Sequence, residues 1–271
     1  MSQKQPVYFV PHGGGPWHVM DNSRFGGAWE DLREFLTSIE GELPEKPKAI
    51  LMITAHWDDP AVVTVSTAKQ PGMYYDYHGF PPHTYQIKYT APGSPEVAAR
   101  VQEALSAAGI PSATDDARGY DHGTFVPLMV AFPRGDIPVV QMSIRHDLDP
   151  AFHIAFGRAL APLRDEGILI IGSGLSYHNM RMFGSNDPNH AQQAARFDHW
   201  LKDTIESHDT ASRDAALTRW WENADARACH FPTPEHFLPV VVAAGAGEGS
   251  DGKQVFQGIV MGKPYSGYRW G

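Results

Sequence analysis

The sequence predicts an α/β protein in which helices flank a central, mostly parallel but mixed sheet. Three observations support this class. Short apolar segments such as VYFV (residues 7–10) and ILIIG (residues 168–172) are typical of strands that are buried on both faces. Helical patterns with clear N-terminal caps alternate with these strands along the chain. No linker, composition break or internal repeat divides the 271 residues, so we expect one domain spanning residues 1–271.

The first half of the chain contains three predicted strands and two predicted helices. The strands are VYFV (residues 7–10), PKAILMITA (residues 47–55) and AVVTVS (residues 61–66). The first helix lies in residues 29–39, where apolar side chains recur at helical spacing. The second begins at Pro95, behind the N-cap Ser94, and ends before Gly109. Residues 72–95 are rich in Pro, Gly, Tyr and His, which predicts a long structured loop of the kind that often carries function.

The second half repeats the alternation of strands and helices. The predicted strands are IPVVQMSI (residues 137–144), GILIIG (residues 167–172) and KQVFQGIVMG (residues 253–262). A helix follows the N-cap Asp149, and one or two more lie between about Asn189 and Glu222. The last predicted helix starts at Thr233 and accommodates Pro239 close to its N-terminus.

Composition narrows the cellular setting and the partners. The formal net charge is −9 and no block of basic residues occurs, so neither nucleic acid nor an anionic membrane is an expected partner. Cys229 is the only cysteine, which excludes an intrachain disulfide and suits a reducing cytoplasm. We expect its thiol to be buried and inert. No apolar run reaches the length of a membrane span, and we expect a cytoplasmic protein.

The fourteen histidines are the unusual feature, and their placement predicts a metal site. His12, His56 and His178 each follow the end of an apolar strand, and His236 lies near the start of the last predicted helix. In an open α/β sheet the carboxyl ends of the strands meet at the crevice where ligands bind. Neutral imidazole is the commonest side-chain ligand and suits Zn, Cu, Fe and Ni. Separate histidines that each cap one strand are the alternative.

The segment HGGGP that begins at His12 fits this interpretation. Its glycines allow the backbone to approach a ligand closely and to adopt unusual φ and ψ angles. A tight strand-to-loop turn without a ligand is the alternative. The chain has no G-x-S-x-G elbow, P-loop or H-E-x-x-H motif, so the HGGG segment lacks the nucleophile of an esterase.

Seven motifs in a fixed order carry a family resemblance. They are PHGGGP, TAHWD, YDYHGFP, GYDHGTFVPL, PVVQMSI, GSGLSYHNM and TPEHFLPVVVAAGA. This set resembles the class III extradiol ring-cleaving dioxygenases of the LigB-like superfamily, and within them the DOPA 4,5-dioxygenase branch. The resemblance runs from about Val7 to Ala246. It implies a non-heme Fe(II) enzyme that cleaves a catechol with both atoms of O2 to a muconic semialdehyde.

The resemblance also implies roles for five histidines. The core metal ligands would be His12, His56 and His236. His178 would be either an additional ligand or the base that accepts a catechol proton, and His122 would be a second acid/base residue on the oxygen side. Relatives elsewhere in the superfamily combine two histidines with one glutamate. Here His236 stands at the position of that carboxylate, beside Glu235, and an all-histidine site also suits Zn(II).

Candidate substrate-binding residues come from the aromatic loop and from the segment behind His12. They are Trp17, His18, Tyr75, His78 and Phe80. A substrate carboxylate would need a cation or a hydrogen-bond donor. His18, His83, Arg145 and Arg181 are candidates, and the sequence does not choose among them.

Two other functions use the same residues. A zinc-dependent hydrolase would activate water at the histidine site, and a silent relative would bind a metal or a phenol without turnover. A binder needs no acid/base pair, so His122 and His178 favour the dioxygenase. The expected partners are a small-molecule catechol and O2. Whether that catechol is L-DOPA, caffeate, protocatechuate or a polycyclic diol stays open, as does a monomer against a small homo-oligomer.

Overall fold

The computed structural model describes residues 3–21 and 28–271 and contains one eight-stranded sheet. Its strands are β1 (Val7–Pro11), β2 (Ala49–Thr54), β3 (Val63–Ser66), β4 (Ser112–Asp115), β5 (Val139–Met142), β6 (Ile168–Gly174), β7 (Gly252–Val260) and β8 (Lys263–Trp270). They are ordered β4-β3-β5-β2-β6-β1-β8-β7. The central strands β5, β2, β6 and β1 are parallel, whereas β3 is antiparallel to β5 and β8 is antiparallel to both β1 and β7. The predicted mixed, mostly parallel sheet is confirmed.

Helices cover both faces of the sheet. They are α1 (Ala28–Glu42), α2 (Pro95–Ala107), α3 (His122–Ala131), α4 (Pro150–Leu160), α5 (Pro188–Ile205), α6 (Thr210–Thr218), α7 (Ala224–Cys229) and α8 (Leu238–Ala246). Alternate residues of β2 enter different cores: Ile50 and Met52 lie with α1 and α3, whereas Leu51 and Ile53 lie with α2, α4, α5 and α8. This two-sided burial explains the unbroken apolar sequence of the central strands. Within the described ranges, no helix combines the length and apolarity that crossing a membrane requires.

Four elements were not predicted from the sequence: α3, β4, β8 and the short helix α7, which begins beyond the Glu222 at which the predicted helical stretch ends. The helix α3 is buried on nearly all sides, so it lacks the polar face that marks an amphipathic helix. It also contains Pro127, which is not expected inside a helix. Its cap is nevertheless ordinary, since the Asp121 side chain accepts a hydrogen bond from the Thr124 amide. The strand β4 has only four residues, and β8 mixes polar and aromatic side chains without an apolar run.

The start of the last helix differs from its prediction. The helix α8 begins at Leu238 rather than Thr233, so Pro239 lies in its first turn and no kink is needed. The preceding residues form a turn in which the Phe237 and Leu238 amides donate to the carbonyl of Pro234. His236 therefore lies on a turn in front of the helix.

Cys229 is buried, as expected from its lone occurrence. Burial raises the pKa of its thiol well above the usual range. The thiolate form that a nucleophile requires is therefore disfavoured.

The helices α4 and α8 pack so closely that their backbones touch at glycines. A Cβ atom on Gly157 of α4 would overlap the carbonyl oxygen of Val242, and a Cβ atom on Gly245 of α8 would overlap that of Ile154. Gly41 of α1, in contrast, has open space around it, with no atom within 4 Å of the place that a Cβ atom would take.

We expect Gly157→Ala to lower the free energy of unfolding by about 1–3 kcal/mol, because the added methyl group would push two helices apart. Gly41→Ala is the matched control and should be neutral or stabilising, since alanine favours a helix by about 1 kcal/mol over glycine. Urea unfolding measures both changes. Equal effects of the two substitutions would contradict the close packing of α4 on α8.

His153 is a buried histidine that is held neutral at the start of α4. Its Nε2 accepts a hydrogen bond from the Arg145 amide at 3.1 Å, and its Nδ1 donates to the Asp149 carbonyl at 2.6 Å. Burial lowers the pKa of this imidazole from 6.5 to about 4. Its contribution to stability is complete above pH 6.5 and is lost as the pH falls toward about 4, because only the unfolded chain takes up the proton in that interval.

Protonation linked to His153 should lower the free energy of unfolding of the wild type by about 3 kcal/mol between pH 6.5 and 4. We expect His153→Gln to lack this part of the decrease. Glutamine keeps one donor and one acceptor but does not titrate. The measurement is the free energy of unfolding by denaturant at several pH values. His199→Gln is the control, because that side chain is 75% exposed. The same pH slope in wild type and His153→Gln would contradict the assignment.

Candidate active site

Five histidines converge at the carboxyl ends of the central strands. His12 follows β1, His56 follows β2, His178 follows β6, His122 opens α3, and His236 precedes α8. The Nε2 atoms of His12 and His56 are 3.2 Å apart. The rings of His178 and His236 stack with centroids 3.4 Å apart, and those of His56 and His122 are 3.9 Å apart. The structure therefore brings together the five histidines for which the resemblance implied metal-binding or acid/base roles.

The glycine segment behind His12 fits closely under aromatic rings. Gly13 and Gly15 have φ angles of +78° and +57°, which other residues rarely adopt. A Cβ atom on Gly13 would overlap the indole of Trp17, and one on Gly15 would overlap the ring of Phe80. The Trp17 Nε1 donates to the His12 carbonyl at 2.8 Å. The unusual φ angles expected of this segment occur at Gly13 and Gly15, and the close approach that they allow is to the rings of Trp17 and Phe80.

The carboxylate of Asp76 faces the Nδ1 atoms of two of the histidines, His122 and His56. Its Oδ1 accepts hydrogen bonds from both the Nδ1 and the backbone amide of His122, each at 2.9 Å. Its Oδ2 lies 3.3 Å from the Nδ1 of His56. A carboxylate in this place favours the tautomer with hydrogen on Nδ1 and leaves each Nε2 with a lone pair.

The carboxylate of Glu235 faces two further histidines, His178 and His236, in the same way. Its Oε1 accepts from the Nδ1 of His236 at 2.8 Å and lies 3.3 Å from the Nδ1 of His178. The Thr233 hydroxyl donates to Oε2. Burial alone would raise the pKa of the Glu235 carboxyl, but hydrogen bonds from His178 and His236 hold it well below its usual range. Glu235 is therefore an anion beside both rings.

His12 completes the pattern through the backbone. Its Nδ1 lies 2.9 Å from the Gly13 carbonyl, which accepts only, so the Nδ1 carries the hydrogen. Its Nε2 then presents a lone pair to the Nε2 of His56. Two lone pairs at 3.2 Å repel each other unless a cation lies between them. Two nitrogens bound to one tetrahedral Zn²⁺ would be roughly 3.4 Å apart, so the observed spacing fits a shared metal ion.

The electrostatics also favour the neutral, ligating form of these rings. Burial, and next the neighbouring imidazoles, lower the pKa values of His12 and His56 well below 6.5. Burial and His178 lower the pKa of His236 to about 4. One ligand atom from each of these three residues lies within 4.8 Å of the others, which forms a group that could hold a metal ion. His178 is absent from this trio and belongs to a second group with Glu235 and His236.

Sequence reasoning missed the roles of Asp76 and Glu235. Both stand inside quoted motifs, YDYHGFP and TPEHFLP, directly beside aromatic or histidine residues. Asp76 contacts His122 across 46 positions of the chain, a pairing that no local spacing reveals. The only available signal was an acidic residue within each histidine-containing motif.

A cavity of about 530 Å³ opens onto the histidines. Of the candidate substrate-binding residues, Trp17 and Phe80 line this cavity, whereas Tyr75, His78 and His18 are not among its lining residues. Tyr75 packs behind Tyr77 and donates its hydroxyl to the backbone, and His78 is exposed. Tyr77 of the same aromatic loop also lines the cavity, with its ring centroid 5.9 Å from that of His122.

Comparison with known proteins identifies clear relatives. The family model described as the catalytic LigB subunit of aromatic ring-opening dioxygenase matches residues 6–266. The chain is 41% identical over 251 residues to the 4,5-DOPA dioxygenase extradiol of Beta vulgaris, covering 90% of this chain and 88% of the relative. It is 36% identical over 281 residues to the dioxygenase tasH of Hapsidospora irregularis, covering 98% of this chain and 85% of that protein.

A solved structure has the same fold. The crystal structure of an uncharacterized protein from Escherichia coli K12 superposes with a TM-score of 0.75 at 30% sequence identity. The alignment covers 98% of this chain and 100% of that one.

We expect Asp76→Asn to weaken metal binding by about 10- to 100-fold, because the amide no longer favours hydrogen on the Nδ1 of His56. Competition of Zn²⁺ between the protein and a chromophoric chelator measures this affinity without any turnover. Asp59→Asn is the control, since Asp59 is an exposed carboxylate three positions from His56. An unchanged affinity in Asp76→Asn would show that the carboxylate does not orient the ligand.

Proposed function

The chain belongs to the LigB family of aromatic ring-opening dioxygenases, and on this premise we propose that it cleaves a catechol, DOPA-like or related, with O2 to a muconic semialdehyde. The observation that supports this most is the convergence of five histidines whose Nδ1 atoms all face an acceptor. Residues 1–271 would act as one cytoplasmic catalytic domain on a small molecule.

His12, His56 and His236 are the proposed metal ligands, and Fe(II) is the proposed metal. One ligand atom from each of the three residues lies within 4.8 Å of the other two, which is close enough for all three to bind one ion. Bound there, Fe(II) would supply a chelating centre for the two catechol oxygens and the redox capacity to activate O2. Zn(II) suits the same imidazole set and is the alternative metal.

His178 is the proposed general base. Its Nδ1 faces the Glu235 carboxylate at 3.3 Å, which leaves Nε2 to accept a proton from a catechol hydroxyl. The imidazolium that forms is stabilised by the same carboxylate. The stacked ring of His236, with its centroid 3.4 Å away, fixes the position of this base next to a metal ligand.

His122 is the proposed second acid/base residue. It opens α3 and is bound to Asp76 through both its ring and its backbone amide. Its ring lies 3.9 Å from that of His56, while His178 stacks on His236. The two acid/base residues thus accompany different metal ligands, so one can accept the catechol proton while the other donates a hydrogen bond to developing oxygen charge.

Reconstitution with Fe(II) under nitrogen, followed by a panel of catechols and then oxygen, tests this function. We expect stoichiometric O2 uptake together with the visible absorbance of a semialdehyde. Zinc-loaded protein should show no O2 uptake. Hydrolysis of test substrates by the same zinc-loaded protein would indicate the zinc-hydrolase alternative instead. No uptake with any catechol, in protein shown to contain iron, would overturn the proposal for those substrates.

Variants separate the metal ligands from the acid/base residues. His12→Ala should lose both iron and activity. His178→Ala and His122→Ala should keep their iron and lose about 10²- to 10⁴-fold in kcat, which is the usual contribution of general acid/base catalysis. Loss of iron from His178→Ala would instead make His178 a metal ligand. The measurements are iron content of the purified protein and kcat by oxygen electrode.

A further inference from the structure

Arg118 is a mostly buried cation that adjoins the histidines from outside the cavity. Its side chain is 14% exposed, and it is not among the residues that line the cavity. Its guanidinium lies over the rings of Trp57 and Tyr74, 5.0 and 4.3 Å from their centroids. The Nη2 group donates to the carbonyl of His56 at 2.9 Å and lies 3.4 Å from the Oδ2 of Asp121. One side chain thus contacts three separate segments of the chain.

Each of these segments carries one residue of the site. His56 belongs to the first segment, and His122 directly follows Asp121 in the second. Asp76 belongs to the third, two positions after the tyrosine on which the guanidinium lies. One ligand atom from each of His56, Asp76 and His122 lies within 4.8 Å of the others. Arg118 therefore adjoins the group in which a carboxylate faces a proposed metal ligand and a proposed acid/base residue.

Backbone hydrogen bonds already join two of the three segments. The Tyr74 amide donates to the Tyr120 carbonyl, and the Tyr120 amide donates to the Gly72 carbonyl, each at 2.8 Å. The aromatic loop is thereby fixed to the segment that leads into α3. The position of His56 relative to these two segments depends instead on contacts that involve side chains.

Those contacts bind both backbone groups of His56 to one carboxylate. Asp121 is fully buried, and its Oδ1 accepts a hydrogen bond from the Thr54 hydroxyl at 2.9 Å. The Thr54 hydroxyl oxygen in turn accepts from the His56 amide at 3.1 Å. On the other side, Arg118 links the His56 carbonyl to the Oδ2 of Asp121. The amide and the carbonyl of His56 are thus connected to Asp121 through Thr54 and Arg118.

The start of α3 packs against His56 without spare room. A Cβ atom on Gly123 would lie 2.6 Å from the Oγ1 of Thr54 and 2.9 Å from the Cδ2 of His56. The ring centroids of His56 and His122 are 3.9 Å apart. A shift of the His56 backbone would therefore change the position of its ring relative to both His122 and Asp76.

From this set of contacts we infer that Arg118 is a positioning residue that holds His56 in place against Asp76 and His122. The inference rests on the proposed function, in which His56 binds the metal. Arginine suits this role because its planar guanidinium stacks on aromatic rings while its N–H groups bind oxygen acceptors. Lysine keeps the charge but has no planar group to stack.

Arg118→Met tests the role by removing the guanidinium. We expect the Zn²⁺ affinity, measured by competition with a chromophoric chelator, to fall by about 10- to 100-fold, the usual effect of losing a residue that orients a metal ligand. In iron-loaded protein, kcat for the fastest catechol of the panel should fall by a similar factor. KM should stay within about threefold, because the lost interaction does not contact the substrate. Arg118→Lys should have an intermediate Zn²⁺ affinity.

Arg269 offers a matched control. Its guanidinium lies 5.6 Å from the ring centroid of Tyr8 and 3.6 Å from the Oε2 of Glu42, so it also combines an aromatic ring with a carboxylate. Tyr8 lies in the first half of β1, whereas His12 follows the carboxyl end of that strand. Arg269→Met should therefore leave the Zn²⁺ affinity and kcat unchanged.

The outcomes separate positioning from general stability and from the proposed function. A purely structural role would lower the midpoint of thermal unfolding of Arg118→Met and leave the Zn²⁺ affinity of the folded variant at the wild-type value. That result, or an equal loss of affinity in Arg269→Met, would overturn the inference. If Arg118→Met does not fold, wild-type Zn²⁺ affinity in Arg118→Lys would overturn it. No O2 uptake by iron-loaded wild type with any catechol would overturn ring cleavage instead, while the Zn²⁺ affinities would still decide the role of Arg118.

Discussion

Hydrogen bonding at the Nδ1 atoms of buried histidines is the interaction on which the site depends. Burial and the neighbouring imidazoles lower the pKa values of His12, His56 and His236, so these rings are neutral and can present their Nε2 lone pairs to a shared centre. The Gly13 carbonyl orients His12, while Asp76 and Glu235 each face one proposed metal ligand and one proposed acid/base residue. Each carboxylate thereby links metal binding to proton transfer, because one carboxylate group faces the Nδ1 atoms of both partners.

The sheet order places these histidines within reach of one another. The strands β1, β6 and β2 are neighbours and parallel, so the segments that follow them leave the sheet at the same edge. The start of α3 is fixed to that edge by two buried hydrogen bonds: Thr54 donates to Asp121, and Ser173 donates to the carbonyl of Gly123. His122 is consequently held by the ends of β2 and β6 rather than by a mobile loop.

The cavity has two chemically different ends. At the inner end polar rings meet two carboxylates, and this arrangement suits a metal ion and the diol of a catechol. Away from the histidines the cavity is lined mostly by apolar side chains, among them the exposed Met180 and Met261, together with the carboxylate of Asp21. Tyr77 and Phe80 of the aromatic loop line the cavity, and Asp76 of the same loop faces His56 and His122, so the loop that the sequence marked as functional shapes the wall and supplies one carboxylate.

The sequence by itself determined the fold class and the five histidines, because strands buried on both faces leave apolar runs and because short histidine motifs stand at fixed places beside them. It could not reveal α3, which has no polar face, nor the turn that moves the start of α8 from Thr233 to Leu238. Only the tertiary structure shows that Asp76 contacts His122 and that Tyr77, rather than Tyr75, lines the cavity. The reason is physical: periodicity reports which side of an element is buried, whereas contacts between distant segments depend on how the sheet and its loops pack in three dimensions.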